Sequence, residues 1–227
     1  MLVLVVDTAT PAITAAVVLV DPTATGQAGV ELLAERSKVD ERAHGELLAP
    51  TVTWVLAEAG IRARDLAAIV AGVGPGPFTG LRVGLVTAAS MAHALSVPTY
   101  GVCSLDGIGA QSRGATLVAT DARRKEIYWG VYRGGVALTT PAVDKPARVA
   151  ELLDGSEVDV AIGDGSQKYA SVLPFPVLDE PRYPSAAALA QLAADRVRGR
   201  APGETLTPAY LRRPDAALPH APKPVTP

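Results

Sequence analysis

Two matching segments constrain this chain more than anything else in it. Residues 2–6 form an unbroken apolar, β-branched run ending in Asp7-Thr8-Ala9-Thr10-Pro11, and a second apolar run, residues 13–20, closes at Asp21-Pro22. Runs of this kind are strands buried on both faces, and the Asp, Thr and Pro between them supply the turn. The arrangement returns half a chain later. Residues 116–120 stop at Asp121, the polar turn Ala122-Arg123-Arg124-Lys125 follows, and residues 126–132 alternate as a strand up to Arg133-Gly134-Gly135. Two such units predict an α/β chain of two duplicated halves, each starting with a β-hairpin. The letters repeat weakly, so pattern alone leaves two unrelated hairpins equally open.

Between the hairpins the pattern is helical. Residues 42–59 place Leu47, Leu48, Val52, Val55 and Leu56 on one face; Pro50 should kink this helix or mark its first turn, and Gly60 ends it. Residues 66–73 read as a buried strand. The loop Gly72-Val73-Gly74-Pro75-Gly76-Pro77-Phe78-Thr79-Gly80 then leads into a helix over residues 80–95, with Thr79 as its N-cap and Pro98 beyond its end. Along that helix Gly80, Gly84, Ala88 and Ala92 stand four apart. Glycine costs a helix about 1 kcal/mol against alanine, so the stripe points to a close approach, within the fold or across a subunit boundary. In the second half, residues 158–162 read as a strand followed by Gly163-Asp164-Gly165-Ser166, and Ser185 caps a helix over Ala186–Arg198 that Gly199 terminates. Prolines at 202, 208, 214, 219, 222, 224 and 227 forbid a closing helix. The expected divisions are a first half over 1–100, a second over 101–201 and an extended tail over 202–227, whose segment 208–214 lies against the body.

Composition excludes several classes. Of 227 residues, 48% are hydrophobic and 19% charged, enough apolar surface for a core and too much for disorder across the chain. Aromatics are only 4%, so that core is built from Val, Leu, Ile and Ala. Residues 1–100 carry 6 Lys and Arg against 9 Asp and Glu, and residues 101–227 carry 15 against 14. Neither half is a basic module, which argues against a stand-alone nucleic-acid binder. Cys103 is the single cysteine, so no intramolecular disulfide forms; it reads as a small buried hydrophobe. The amino terminus lacks a basic n-region, Asp7 cuts its apolar run, and no stretch approaches the ~18 apolar residues of a membrane span. The expected location is the cytoplasm, with no membrane partner.

The residues that could carry chemistry are few. The glycine-rich loop is not a P-loop, because Leu81-Arg82 follow Gly80 where Lys and Ser or Thr are needed; nor is it a dinucleotide fingerprint, because Thr79 stands where the last glycine belongs. Pro75 and Pro77 also lack N–H donors, which favours a rigid strand-to-helix turn over a phosphate cradle. Asp7, Thr8, Thr10 and Asp121 are candidates for holding a metal-bound phosphate at strand ends, or are ordinary turn residues. His44, His93 and His220 have no metal-ligand spacing, and no G-x-S-x-G elbow occurs. The histidine spacing therefore argues against a built-in zinc or iron site, and the residues give poor support to catalysis by this chain alone.

These motifs resemble one family closely. Gly74-Pro75-Gly76-Pro77-Phe78-Thr79-Gly80-Leu81-Arg82-Val83-Gly84 is similar to the glycine-rich signature of the TsaB (YeaZ) family, accessory subunits of the bacterial tRNA threonylcarbamoyladenosine machinery. Leu4-Val5-Val6-Asp7-Thr8-Ala9-Thr10, Glu41-Arg42-Ala43-His44-Gly45-Glu46-Leu47-Leu48, Asp121-Ala122-Arg123 with Glu126-Ile127-Tyr128, and Pro208-Ala209-Tyr210-Leu211-Arg212 match in the same order over nearly the whole chain. Pro77 departs from the family's usual Ser. The resemblance implies an actin-like ATPase-superfamily fold with two ribonuclease H-like halves. It further implies a non-catalytic scaffold that pairs with a TsaD-like catalytic subunit and works with a TsaE-like ATPase to modify the adenosine next to the anticodon. Cofactors are then none of its own, with ATP or ADP and Mg entering at the level of the complex, and tRNA is met only through that complex. The partner interface implied by the family is the first two helices, here Leu47, Leu48, Val52, Val55, Gly80, Gly84, Ala88 and Ala92, and the same surface forms a homodimer in the chain alone. Two alternatives stay open: a stand-alone ATP-binding enzyme or glycopeptidase-like protease, and a direct tRNA binder using Arg123, Arg124, Arg212 and Arg213.

Overall fold

The computed structural model describes residues 1–212; Arg213, Pro214, His220 and the remaining prolines of the expected tail lie outside the described residues. Strand β1 (Leu2–Asp7) pairs antiparallel with β2 (Ala12–Val20), so that Asp7 stands opposite Thr14, and β2 carries β3 (Val30–Val39) on its far side. On the other flank of β1 run β4 (Ala68–Gly72) and then β5 (Thr99–Val102), both parallel, for a sheet order β3-β2-β1-β4-β5. The second sheet repeats this plan. β6 (Ala115–Asp121) pairs antiparallel with β7 (Ile127–Arg133), which carries β8 (Val136–Ala137) and β9 (Ala142–Asp144), and β10 (Val160–Ile162) lies parallel on the other side of β6. Both hairpins are thus the start of a sheet with the same handed order, and Asp7 and Asp121 close equivalent strands. The duplication read in the sequence is real.

Alternation along β1 explains the layers. Leu4 and Val6 face one side, with α1 (His44–Glu58) and α2 (Phe78–Leu95); Val3 and Val5 face the other, with α6 (Ala186–Arg198). Both faces are covered, which is why residues 2–6 are apolar without a break. Helix α6 meets the sheet through Ala186, Ala190, Ala193 and Ala194 around Leu189 and Val197, small side chains that let the helix lie close. Ser185 caps it, its hydroxyl accepting the Ala188 N–H at 3.3 Å. In the second half, α4 (Pro146–Leu152) contributes Val149 to one core, and α3 (Ser104–Gly109) brings Leu105 and Ile108 to the opposite one; α5 (Asp164–Lys168) follows β10.

Several expectations are corrected here. Helix α6 belongs by packing to the first sheet, so a second unit over 101–201 is not a spatial unit; its last helix crosses back to the first lobe. Pro50 lies inside α1, whose first turn begins ahead of it at His44. The Thr51 and Thr53 hydroxyls bond back to the Leu47 and Ala49 carbonyls at 2.7 and 3.1 Å beside that missing donor. Helix α2 starts at Phe78, because the Leu81 N–H already bonds the Pro77 carbonyl at 3.0 Å; Thr79 sits in the first turn and caps nothing. Gly60 does end α1: at φ +66° it lets the Ile61 N–H return to the Leu56 carbonyl at 3.0 Å.

Candidate functional site

The two hairpin turns, the glycine-rich loop and the segment after α6 converge on one cleft between the halves. Four glycines at spacing four let the loop and α2 close over the first turn. A Cβ on Gly72 would stand 1.7 Å from Asp7 Oδ2, one on Gly76 2.1 Å from the Ala9 carbonyl oxygen, one on Gly80 3.0 Å from the Thr8 carbonyl oxygen, and one on Gly84 2.3 Å from Thr8 Oγ1. Thr8 uses that closeness: its hydroxyl donates to the Gly80 carbonyl at 2.8 Å and accepts the Gly84 N–H at 3.0 Å. His44, at the start of α1, reaches the same turn and donates from Nε2 to the Thr10 carbonyl at 2.9 Å.

This geometry overturns one reading of the small-residue stripe. Gly80, Gly84, Ala88 and Ala92 are buried in the chain's own core, as are Leu48, Val52 and Val55, with Leu47 half-buried beside them. None of the seven buried residues is available to a partner. At Gly80 and Gly84 a side chain would strike the turn of β1 and β2; Ala88 and Ala92 continue the stripe within the core.

Asp7 is 1% exposed, and burial pushes its carboxyl up from 3.8 to about 6, against the opposing pull of the Ser104 hydrogen bond, the Ala9 N–H and the charge of His44. Ser104 donates to Asp7 Oδ2 at 2.5 Å and accepts the Gly74 N–H at 3.3 Å, so one hydroxyl ties the loop to the carboxylate. The Thr10 hydroxyl accepts the Ala12 N–H at 3.3 Å. In the second half, Asp121 accepts Lys168 Nζ at 2.7 Å and the Arg123 N–H at 3.2 Å. Asp164 beside it is raised to about 6, chiefly by burial. Asp7, Thr8, Thr10 and Asp121 are therefore each engaged by the fold itself, which is the bonding of turn residues. That donor set does not fit a metal-bound phosphate: one carboxylate is covered and driven toward its neutral form, and the other is already neutralised by a lysine. Among the described residues no group of three or more potential metal ligands comes together. The Cys103 thiol is pushed up to about 12, mainly by burial, and stays protonated as a small hydrophobe would.

The signature residues Phe78 and Arg82 serve a partner that the sequence did not reveal. Tyr210 stacks on Phe78 with ring centroids 5.1 Å apart, and the Arg82 guanidinium lies 3.5 Å from the Phe78 centroid while its Nε donates to the Tyr210 hydroxyl at 2.7 Å. Beside this trio opens a cleft of about 680 Å³, lined by Gly76, Pro77, Tyr128 and Leu211 with Arg123 and Arg212 at its edge. A smaller recess of about 250 Å³ continues to Thr8, Thr10, Thr79 and Glu41. Arg123, Arg124 and Lys125 have φ values of +64°, +53° and +63°, a run of left-handed residues that costs roughly 1–2 kcal/mol each. Such a turn persists only where its surroundings over-determine it. Ser104 and Lys168 are residues of this site that sequence reading missed, and Glu41 and Tyr210 stood only in matching motifs, with no contact assigned to them. Each acts through a contact 40 or more positions away, and local sequence carries no trace of that.

The fold is thus an α/β chain of two lobes, each opening on an antiparallel hairpin with a parallel strand beside its first strand. The family model for TsaD, tRNA N6-adenosine threonylcarbamoyltransferase, matches residues 31–195. The solved structure of YeaZ from Pseudomonas aeruginosa superposes with a TM-score of 0.74 at 30% identity, covering 92% of this chain and 99% of that one. The chain belongs to this family, as one of its TsaB/YeaZ-like members. It is 35% identical to the tRNA threonylcarbamoyladenosine biosynthesis protein TsaB of Escherichia coli over 56% of its length and 60% of that protein. It is 46% identical to an uncharacterized protein of Mycobacterium leprae over 99% of its length but spans only 57% of that relative. Among the described residues no helix is long and apolar enough to cross a membrane.

Proposed function

We propose that the chain is an accessory subunit in the biosynthesis of threonylcarbamoyladenosine in tRNA, acting by docking on a TsaD-like catalytic subunit and supplying no catalytic group itself. The observation that carries this reading is the outward face of the first two helices. Helices α1 and α2 lie against each other. They turn Ala49, Pro50 and Thr53, and Val86 and Ser90, away from the core; Val86 is 62% exposed. Small and apolar side chains in an open patch suit helix-on-helix docking. The groups that an enzyme of this fold would need are spent on internal bonds, which supports a scaffold. A TsaE-like ATPase, nucleotide and tRNA enter at the level of the complex, in the cytoplasm, and two copies pair through the same face when the partner is absent.

Placing a charge at the centre of that face tests the docking. Val86→Glu should weaken binding to the purified TsaD-like subunit at least tenfold in titration calorimetry, because a buried unpaired carboxylate is costly. Its thermal melt should stay at the parent value, since the side chain is exposed. Unchanged affinity would remove the interface. A threonylcarbamoylation assay in which activity is lost without this chain and returns on adding it back tests the function as a whole. Tight Mg-ATP binding that disappears in Asp7→Ala would support a stand-alone ATP-binding enzyme instead.

A further inference from the structure

We infer that Tyr210 and Arg212 are positioning residues: the strap of residues 201–212 holds the basic turn 122–126 in its left-handed form and ties that form to helix α2. The strap is fixed to the first lobe along its length. The Glu204 N–H donates to the Thr99 carbonyl at 2.8 Å, the Glu204 carboxylate accepts from the Gly101 N–H at 2.9 Å and from Arg196, and the Ala209 N–H donates to the Val73 carbonyl at 2.8 Å. It then reaches α2 through the Phe78, Arg82 and Tyr210 cluster. Two residues further on it crosses to the second lobe, where Arg212 pairs with Glu126 and donates to the Arg123 carbonyl at 3.4 Å.

The turn it reaches is the strained one. Inside the second lobe, Arg123, Arg124 and Lys125 are held by the Arg123 N–H bond to Asp121 and by the closing bonds from Ala122 N–H to the Glu126 carbonyl and from Glu126 N–H to the Arg123 carbonyl. Two further clamps come from outside that lobe: Arg212 of the strap, and Glu41 of the first lobe, which accepts Arg123 Nη1 at 2.6 Å. A left-handed run of residues with side chains has a relaxed alternative at negative φ, so it is a two-state element that the clamps bias. Removing the strap's end should release it. A change at α2 should be felt at the turn through Arg82, Tyr210 and Arg212, although those groups share no strand or helix with it.

Amide hydrogen exchange on the full chain reads this directly. In Arg212→Ala and in Tyr210→Ala, exchange at Ala122 and Glu126 should rise at least tenfold, while amides inside β6 such as Val118 keep the parent rate. Arg212→Lys should restore most of the protection, because it keeps the charge opposite Glu126. Parent-like exchange at the turn in Tyr210→Ala would overturn the coupling to α2, and parent-like exchange in both variants would overturn the whole inference. The inference rests on the docking reading only in taking α2 as the helix that meets the partner. Affinity of the parent chain for the TsaD-like subunit is therefore measured in parallel. Failure of the parent chain to bind would defeat the docking reading and leave the exchange result to decide the strap.

Discussion

Gly76→Ala should lower the melting temperature by about 10 °C or leave the chain insoluble, as a loss of about 3 kcal/mol or more implies for a chain of this size. The reason is that the added methyl would stand 2.1 Å from the Ala9 carbonyl oxygen and 2.8 Å from the Ala9 Cα, both backbone atoms. A flexible side chain could swing away; the turn between β1 and β2 cannot, because Thr8, Thr10 and Asp7 are each tied to the loop, to α1 or to Ser104. Gly45→Ala supplies the control. Its Cβ would meet nothing within 4 Å, and it lies in α1, where alanine is the better helix former. A calorimetric melt of the two variants decides the matter. A Gly76→Ala melt within 2 °C of the parent would mean that the close approach of loop and turn is not what the glycine is for.

Asp7→Asn should change how stability depends on pH, with a sign that follows from burial. The folded chain holds the Asp7 carboxyl at about 6 against an ordinary 3.8, so between those values the folded state binds more protons than the unfolded one. Stability contributed by this group is therefore full below pH 3.8 and lost as pH rises through 6, a difference of about 3 kcal/mol. Asn removes the titration, so relative to the parent the variant should gain about 2.5 kcal/mol between pH 4 and pH 7.5. Denaturant titrations of both proteins at the two pH values isolate Asp7, because every other carboxylate, Asp164 included, is common to both. A parent-to-variant difference that stays constant with pH would show that Asp7 ionises freely in the fold. The same measurement bears on the cleft, since a carboxylate that resists ionisation is poorly suited to a bound cation.

The pattern of the chain was legible where chemistry is local. Unbroken apolar runs, acidic turns and their return half a chain later led to two duplicated α/β halves, and α6 was readable to the residue because Ser185 and Gly199 punctuate it. β3 was not legible: its ten residues mix Glu, Arg, Ser and Lys with Leu and Val, as an exposed edge strand does, and nothing local separates that from a loop. The short α3 and α5 and the two-residue β8 are likewise set by what they rest on rather than by a period of their own.

For the site, residue types pointed to the right places and to the wrong partners. Asp7 and Asp121 do close equivalent strands, with Thr8 and Thr10 in the turn after the first, and Gly74 to Pro77 do form the loop that leads into α2. By itself the sequence determined the duplicated strand order, the cleft-edge positions and the need for small residues on α2, since these follow from hydrophobic period and backbone sterics. Only the tertiary structure decided which way that stripe faces, that Ser104 and Lys168 occupy the two carboxylates, and that Phe78 and Arg82 hold Tyr210. Each of these depends on groups 47 to 128 positions apart meeting across packed layers, and the energy of such a meeting is written in no local segment.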